Sequence, residues 1–497
     1  MEKIKEKLKK IRKTKKIVLC HGVFDLVHLG HIKHFKSAKK FGDYLIVSIT
    51  ANEYINKGPG RPIFHHKERL EYLKQIKIID EVIISESLSA ENIIKLVKPH
   101  YYVKGPDYKD NTKDKTKKIF REKKLVEEYG GKIIYTDDLT FSSSSIINSN
   151  SLLFNLDQTK FIKKIKKKYS YQQISNLLSQ FKKIKALVIG ELIIDRYVFG
   201  EVIGKSGKEP HLVLSEIKDE YYTGGSGAIA KHLSSFVKTV GLLSLLGNEN
   251  FVKKLIKRDF KKNIKNYFIA PNKNFNTIIK TRFVDIISNY KLFGSYILPE
   301  VTKNNLTKKI IKIIEKIYSS FDLILICDYS HYFLNNEIIK AIKSKKKFIS
   351  VNTQINSSNI GFHTIEKYHG VNSVIINEKE LRQELRDKKS NIKILGKQLI
   401  KEKKIKNLII TRGLNGVMLI KNNKCYECPA FAKKIVDKVG AGDAMLSICS
   451  LCLKNNIDPD LTLFLGSIAA AYSVESIGNK NYVTFENIDR ALEFYLK

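Results

Sequence analysis

The sequence predicts an α/β protein made of two doubly wound domains, and three observations support this fold class. Short apolar runs such as "KIVLCHG" and "DYLIVSIT" alternate with segments of helical periodicity, a pattern typical of a parallel sheet covered by helices on both faces. The strand-first pattern begins near residue 17 and begins again near residue 184. The 497 residues also exceed what one hydrophobic core usually supports.

The predicted elements follow one another along the chain. We expect a first domain over residues 1–148, with strands in "KIVLCHG", "DYLIVSIT", "DEVIISE", "HYYVKG" and "GKIIYTDD". Helices are predicted in "HLGHIKHFKSAKKFG", "HHKERLEYLKQIK" and "SAENIIKLVK". Residues 149–183 lack a strand signal and are predicted to form a helical linker. The second domain is predicted over residues 184–497, with buried strands in "FDLILICDYS", "KFISVNTQ", "VNSVIINEKEL" and "NLIITRG".

The composition argues against several classes of protein. The formal net charge is +39, but the basic residues are mostly lysines spread over nearly every predicted helix. We therefore expect no nucleic-acid partner, and a Lys-rich nucleic-acid-binding protein stays as the remote alternative. No apolar run approaches the roughly 18–20 residues that span a bilayer, so we expect no membrane segment. Six cysteines in so long a chain fit a reducing compartment, and we expect a cytoplasmic protein.

Four histidines lie within residues 20–35, and two of them have the spacing of a phosphate site. His28 and His31 lie where the first strand leads into the first helix, and residues three apart share one helix face. Free N–H groups at a helix start attract anions, and imidazoles beside them can donate hydrogen bonds to phosphate oxygens. Two other interpretations stay open: a zinc site, for which no further ligands are evident, and a cluster of solvated side chains.

The same segment resembles a known family. "GVFDLVHLGH" resembles the HxGH motif of the cytidylyltransferase-like nucleotidyltransferases, and "KGPGRPIFHHKERLEYL", "VKPHYYVKGPDY" and "FSSSSII" follow in the family's order. The resemblance implies a Rossmann-like fold in which His28 and His31 are catalytic and stabilise the phosphorus under attack. It implies ATP as the nucleotide, with CTP as an alternative. The implied nucleotide- and phosphate-binding residues are Gly22, Phe24, Arg61, Lys104, Ser143, Ser144 and Ser145.

A second motif, "DKVGAGDAMLSICSLCL" at residues 437–453, precedes a long apolar helix. Gly440, Ala441 and Gly442 can turn tightly, and their N–H groups then form an anion hole for a phosphoryl group in transfer. Asp443 at the same helix start can accept a proton from an attacking hydroxyl. A glycine-rich loop with an aspartate cap is the plainer interpretation of the same residues.

This motif resembles the GAGD motif of the ribokinase-like (PfkB) sugar kinases. "GELIIDRY", "TGGSGAIA", "TIIKTRFV", "CDYSHYFL", "NEKE" and "TRGLNGV" extend the likeness over residues 185–497. The resemblance implies that Asp443 is the catalytic base and that Mg²⁺ lies near Asn377 and Glu380 with no direct protein ligand. It implies nucleotide contacts from the anion hole, Thr411 and Gly413. The implied substrate-binding residues are Asp195, Gly224, Gly225, Lys280 and Asp328.

The sequence departs from the kinase family at two places on the substrate side. Ala228 stands where the family usually has Asn, and "VNTQINSSNIG" replaces the Asp-Pro-Lys stretch of the heptose kinases. The identity of the sugar is therefore open, and a degenerate kinase half stays an alternative.

Taken together, the two resemblances point to the bifunctional heptose 7-phosphate kinase/heptose 1-phosphate adenylyltransferases, here with the domains in swapped order. They imply a sugar-phosphate kinase and a sugar 1-phosphate nucleotidyltransferase that make an ADP-heptose-like nucleotide sugar for surface polysaccharide. In that family a phosphatase, which this chain does not contain, acts between the two steps. The alternative is a kinase/cytidylyltransferase for another sugar or polyol phosphate. The expected partners are small-molecule sugar phosphates and nucleoside triphosphates, and a homodimer is compatible with the resemblance.

Overall fold

The computed structural model describes residues 2–55, 61–105, 118–136, 154–299, 306–331, 333–344, 346–361 and 365–496. The chain divides into two compact units, Met1–Asn155 and Leu156–Lys497. Within the described ranges, no helix is long and apolar enough to cross a bilayer.

The first unit is built on a parallel sheet. Its described strands, β1 to β5, are Ile17–Gly22, Tyr44–Thr50, Glu81–Ser85, Tyr101–Lys104 and Lys132–Tyr135. They lie in the order β3-β2-β1-β4-β5, and each adjacent pair is parallel. The direction of winding reverses between β1 and β4, and ligands of open α/β sheets bind beyond the carboxyl ends of the strands at such a point. The segment that follows β1 is therefore where a site is expected.

Helices cover both faces of this sheet, because successive side chains of a strand point to opposite faces. The described helices, α1 to α5, are Glu2–Arg12, Leu29–Lys39, His66–Lys74, Glu91–Val97 and Lys118–Glu128. Ile17 and Leu19 of β1 pack with residues of α1, α4 and α5. Val18 and Cys20 lie on the other face, where they pack with Phe35 of α2. The doubly wound arrangement predicted from the sequence is confirmed.

The second unit contains a larger sheet, with nine strands in the described part of the chain. Its strands are Lys185–Gly190 (β6), Thr239–Leu245 (β9), Ile264–Ile269 (β10), Leu323–Asp328 (β13), Phe348–Thr353 (β14), Ser373–Asn377 (β15), Asn407–Thr411 (β16), Val417–Lys421 (β17) and Lys424–Cys428 (β18). The order is β10-β9-β6-β13-β14-β15-β16-β17-β18. The pairs from β10 to β16 are parallel, and β17 and β18 are added antiparallel.

A separate four-stranded sheet of the second unit was not predicted from the sequence. It consists of Leu192–Lys205 (β7), Leu212–Gly225 (β8), Ile278–Asp285 (β11) and Lys291–Ile297 (β12), in the order β12-β11-β7-β8. β7 and β11 are parallel, and the other two pairs are antiparallel. β7 is buried over its first residues and exposed over its last, so no single period of hydrophobicity marks the whole strand.

The described helices of the second unit are α6 to α16. They are Leu156–Lys168, Tyr171–Gln180, Ser226–Ser234, Asn250–Asp259, Leu306–Ile317, Asn336–Lys343, Glu378–Glu384, Ile392–Lys403, Ala441–Lys454, Pro459–Val474 and Phe485–Leu496. α6 and α7 fall within the predicted linker, residues 149–183, and both pack on this unit. Lys164 Nζ lies 2.7 Å from Asp460 Oδ1, and the Tyr171 hydroxyl donates to Asp489 at 2.9 Å. The second compact unit therefore starts at Leu156 rather than at residue 184.

Candidate functional site

The two predicted histidines of the first unit lie together at the start of α2. His28 is the N-cap, and its Nδ1 accepts a hydrogen bond from Gly30 N at 3.1 Å. His31 Nδ1 accepts one from His28 N at 3.4 Å, and the two rings stack with centroids 4.1 Å apart. A neutral imidazole whose Nδ1 is the acceptor carries its proton on Nε2. Both rings are therefore held in the tautomer that offers an Nε2–H donor.

Gly22 and Phe24 shape the turn between β1 and these histidines. Phe24 has a φ of +48°, which is uncommon for a residue other than glycine. Its ring centroid lies 5.3 Å from that of His31 and 5.2 Å from that of Phe35. A Cβ at Gly22 would lie 3.0 Å from the Phe24 ring. Gly22 thus leaves room for the ring that supports His31.

Arg61 is buried and held by one carboxylate. Its Nε donates to Asp25 Oδ2 at 2.7 Å, while Asp25 Oδ1 accepts from the backbone N–H groups of Ile63 and Phe64. Among the described residues, Arg61 Nη1 has no hydrogen-bond partner. A fixed guanidinium with a donor remaining is suited to an anionic ligand.

Lys104 lies at the end of β4, but a buried carboxylate already faces its ammonium. Its Nζ is 3.4 Å from Glu122 Oε2, which also accepts from the Tyr102 hydroxyl at 3.0 Å. Burial alone would raise the pKa of Glu122, but Lys104 and the backbone N–H of Ala90 hold it below its ordinary value. The predicted phosphate contact would have to share the lysine with Glu122. Ser143, Ser144 and Ser145 lie outside the described residues.

The second unit has a cavity of about 780 Å³ where most of its predicted site residues meet. Asn377 and Thr411 are the last residues of β15 and β16, so they lie at the carboxyl edge of the sheet. The predicted residues that line the cavity are Asp195, Gly225, Lys280, Asn377, Glu380, Thr411, Gly413, Gly440, Ala441, Gly442 and Asp443.

Asp443 lies in the first turn of α14, with its carboxylate almost completely buried. Its Oδ1 accepts a hydrogen bond from the Tyr329 hydroxyl at 3.0 Å. Burial raises the pKa of Asp443 to about 7, and Asp195 acts in the same direction, while Tyr329 and Lys280 oppose the rise. A carboxylate that titrates near neutral pH is suited to accept a proton from a hydroxyl.

The turn before Asp443 depends on one glycine, Gly440. Gly440 caps α14 with a φ of +88°, a backbone conformation that favours glycine. A Cβ there would also lie 2.4 Å from Asn479 Oδ1. Gly440, Ala441 and Gly442 line the cavity at this helix start, and the free N–H groups of a helix start bind anions.

Asp195 is fixed at the substrate side of the cavity by two donors. Arg282 Nη1 donates to its Oδ1 at 2.6 Å, and Asn479 Nδ2 donates to its Oδ2 at 3.0 Å. A Cβ at Gly224 would lie 2.1 Å from Asp195 Oδ2. Gly224 itself does not line the cavity. The space next to the Gly224 Cα is therefore occupied by the Asp195 carboxylate.

Lys280 is a buried cation at the cavity wall. Its side-chain nitrogen lies 5.0 Å from the ring centroid of Tyr296 and 5.7 Å from that of Tyr329. Within the described ranges, no carboxylate lies within ion-pair distance of it. Burial lowers the pKa of Lys280 to about 8, although Asp195 acts to raise it. An anionic group in the cavity could form an ion pair with this lysine.

Asn377 and Glu380 form a capping box at the start of α12. Asn377 Oδ1 accepts from Glu380 N at 2.9 Å, and Glu380 Oε2 accepts from Asn377 N at 2.7 Å. Burial raises the pKa of Glu380 to about 7. Mg²⁺ usually keeps several waters and takes few carboxylates besides substrate phosphates, and a carboxylate fixed by backbone N–H groups at the wall fits that arrangement. Among the described residues, no cluster of three or more His, Cys, Asp or Glu could hold a metal.

A sequence model described as pfkB family carbohydrate kinase matches residues 183–484, more than half of the chain. The chain belongs to this family. A model described as Cytidylyltransferase-like matches residues 19–150. Both families expected from the motifs are confirmed. We refer to Leu156–Lys497 as the pfkB unit and to Met1–Asn155 as the cytidylyltransferase-like unit.

Curated relatives share parts of this chain. It is 27% identical over 311 residues to the bifunctional protein HldE of Nitratiruptor sp., an alignment that covers 62% of this chain and 64% of that protein. It is 38% identical over 135 residues to the bifunctional protein HldE of Aliarcobacter butzleri, covering 27% and 28%. The alignments thus span less than two thirds of these relatives. Among solved structures, ribokinase from Thermotoga maritima matches with a TM-score of 0.50 and 20% identity, over 62% of this chain and 99% of that one, which supports the fold.

Besides Gly224, one more predicted substrate residue of the pfkB unit does not line the cavity. Asp328 ends β13, and its Oδ2 accepts from the Tyr368 hydroxyl at 2.5 Å and pairs with Lys367 at 2.6 Å. Its carboxylate is 1% exposed and Asp328 does not line the cavity, so the structure does not bring it together with the other predicted site residues. The departure at Ala228 is likewise buried within α8 and does not line the cavity.

Several residues that line the cavity were not predicted. Arg282 follows Lys280 by two positions on β11, and residues two apart on a strand share a face. The position of Arg282 beside Lys280 could therefore have been predicted from the sequence. Tyr329 and Asp437 lie within the segments "CDYSHYFL" and "DKVGAGDAMLSICSLCL", although no role was predicted for them, whereas Asn479 lies outside every motif noted in the sequence. Asp437 accepts from the Tyr197 hydroxyl at 2.7 Å and pairs with Lys291 at 2.5 Å, and thereby fixes the segment before the glycines.

Proposed function

We propose that the pfkB unit transfers the γ-phosphoryl group of ATP to a hydroxyl of a sugar phosphate. The observation that carries this proposal is the buried Asp443 carboxylate beside the helix start formed by Gly440, Ala441 and Gly442. A base and an anion-binding turn in one cavity are what phosphoryl transfer needs, since the reaction depends on positioning and on neutralising charge.

In the proposed step, Asp443 accepts the proton of the attacking hydroxyl. The hydroxyl oxygen forms a bond to the γ-phosphorus while the bond from that phosphorus to the bridging oxygen breaks, and ADP leaves with the electron pair. The N–H groups at the start of α14 stabilise the charge on the phosphoryl oxygens. Asp195, held by Arg282 and Asn479, orients the sugar. Mg²⁺, organised through water by Asn377 and Glu380, would neutralise charge on the nucleotide phosphates.

For the cytidylyltransferase-like unit we propose transfer of a nucleotidyl group to a sugar 1-phosphate. An oxygen of the sugar phosphate attacks the α-phosphorus of ATP or CTP, and the bond to the bridging oxygen of the β-phosphate breaks to release pyrophosphate. The Nε2–H groups of His28 and His31 donate hydrogen bonds to the oxygens of that phosphorus as charge builds on them. Arg61 would supply positive charge nearby.

The two reactions together would make an activated nucleotide sugar, ADP-heptose-like and used for surface polysaccharide. The similarity to two proteins named bifunctional protein HldE supports the proposal that both reactions serve nucleotide-sugar synthesis. The proposal includes a cytoplasmic location and no nucleic-acid partner, and a homodimer is compatible with it. A different sugar or polyol phosphate, or CTP in place of ATP, would identify the alternative kinase/cytidylyltransferase.

ADP release by the full chain tests the kinase reaction. Sugar phosphates are offered with ATP and Mg²⁺, and Asp443→Asn is compared with the wild type. Loss of a general base should lower kcat by about 10²- to 10⁴-fold. Asp387→Asn, in an exposed turn where Asp387 holds only Ser390 and Lys389, is the matched control. ADP release by Asp443→Asn at the wild-type rate would refute the assignment.

Pyrophosphate release tests the nucleotidyltransferase reaction. The full chain is given ATP or CTP with sugar 1-phosphates, and His28→Ala should lose most of the activity that the wild type shows. His34→Ala is the control, because His34 lies one turn further along α2 and contacts Thr136 Oγ1 at 3.0 Å. Equal activity of His28→Ala and the wild type would contradict the proposed role.

A further inference from the structure

Asp443 has a neighbour that bears directly on whether it is charged. The Tyr329 hydroxyl donates a hydrogen bond to Asp443 Oδ1 at 3.0 Å, and Tyr329 is 3% exposed. Burial raises the pKa of Tyr329 well above its ordinary value, so the hydroxyl keeps its proton and acts as the donor. Such a bond favours the ionised form of the carboxylate.

We propose that Tyr329 is a positioning residue that holds the Asp443 carboxylate and stabilises its charged form, and that Glu191 fixes Tyr329 in turn. The inference rests on the proposed kinase function of the pfkB unit. It adds a residue that would set the pH range in which the base works.

Glu191 holds the turn that carries Tyr329. Its two carboxylate oxygens accept from Tyr329 N and from His331 N, each at 3.0 Å. The Tyr329 carbonyl accepts from Asn356 Nδ2 at 3.0 Å and from Asn359 Nδ2 at 3.1 Å. The backbone of Tyr329 is thus held on both its N–H and its carbonyl. The position of its hydroxyl is therefore set by the fold.

Other groups face Asp443 from the elements packed around it. Burial raises the pKa of Asp443, Asp195 on β7 raises it further, and Lys280 on β11 lowers it. The Cys327 thiol at the end of β13 stays neutral, since burial raises its pKa. Removing the tyrosine hydroxyl leaves these groups in place and takes away one donor to the carboxylate. The pKa of Asp443 must then rise.

The pH profile of kcat/KM for ADP release by the full chain tests this inference. Tyr329→Phe should move the acidic limb upward by about one to two pH units, because a hydrogen bond to an ionised group is lost. The variant should fall well below the wild type in acid and approach it at alkaline pH. Tyr318→Phe is the matched control, because Tyr318 is 1% exposed and its hydroxyl has no hydrogen-bond partner among the described residues. It should leave the limb in place.

An acidic limb that stays at its wild-type position in Tyr329→Phe overturns the inference, whatever the rate. A rate that falls equally at every pH is such a result, since it indicates a structural role alone. If Tyr329→Phe does not fold, Glu191→Gln decides, because glutamine keeps the volume but loses one acceptor oxygen. We expect a smaller upward shift from it, and an unmoved limb again overturns the inference. Absence of ADP release from the wild type with every sugar phosphate would instead refute the proposed function itself.

Discussion

Gly224→Ala tests the geometry of the substrate side of the cavity. An added Cβ would lie 2.1 Å from Asp195 Oδ2, whereas real Cβ contacts stay above 3.0 Å, so the carboxylate would have to move by about 0.9 Å, the difference between these distances. Asp195 is held by Arg282 at 2.6 Å and by Asn479 at 3.0 Å. A displacement of this size breaks or weakens at least one of the two hydrogen bonds.

The expected loss follows from the strength of such bonds. A hydrogen bond to a charged group is worth about 1.5–3 kcal/mol, which corresponds to a fall in kcat/KM of about 10- to 150-fold. The fall in kcat/KM is measured from ADP release with the sugar phosphate that the wild type phosphorylates best. Urea unfolding shows whether the substitution also changes the stability of the protein. Gly207→Ala is the control, because a Cβ there meets nothing within 4 Å. A wild-type kcat/KM in Gly224→Ala, or an equal loss in Gly207→Ala, would refute the reasoning.

Three further changes have defined outcomes. Lys280→Met should lower kcat/KM for ADP release more than Lys280→Arg, which keeps a cation at the cavity wall, and equal losses would argue against a role for charge. Lys104→Met should lower the free energy of unfolding by about 3–5 kcal/mol, because it leaves the Glu122 carboxylate buried without its cation. The double variant with Glu122→Gln should recover part of the lost stability. Additive losses from the two substitutions would contradict the ion pair between Lys104 and Glu122. The free energy of unfolding should fall as the pH rises from the ordinary glutamate range to about 7. The reason is that the pKa of Glu380 is raised in the folded protein, so the stabilisation present at low pH is lost as Glu380 ionises. Across this pH range, the melting temperature of Glu380→Gln should fall less steeply than that of the wild type. An equal slope would show that Glu380 does not cause the loss of stability.

Most of the fold was predictable because buried parallel strands are continuous apolar runs. "LILICD" of β13 and "YLIVSIT" of β2 are of this kind. The sheet formed by β7, β8, β11 and β12 was not predictable in this way. "LVLSEIKDEYYTGG" of β8 mixes charged and apolar residues, and most of its first half is exposed, so its strand character depends on pairing with β7, which lies elsewhere in the sequence.

The site was predictable where its residues are contiguous in the chain. Gly440 to Asp443 form one motif, and their position at a helix start was readable from the sequence. Tyr329 and Asn479 reach Asp443 and Asp195 from separate segments, and one sequence does not say which side chains will meet. The partners of the Asp328 carboxylate were not predictable either, because they come about forty residues later in the chain.

Helices α6 and α7 belong to the pfkB unit and set the N-terminal boundary of any fragment that contains it. The ring centroids of Phe161 and Phe464 lie 6.1 Å apart, and Gln158 Nε2 donates to the carbonyl of Ala430 at 2.6 Å. A fragment that begins at residue 184 would leave the Asp460 carboxylate, only 4% exposed, without the lysines of α6. It would also uncover one side of Phe464. An expression fragment that keeps this unit intact therefore has to include Leu156.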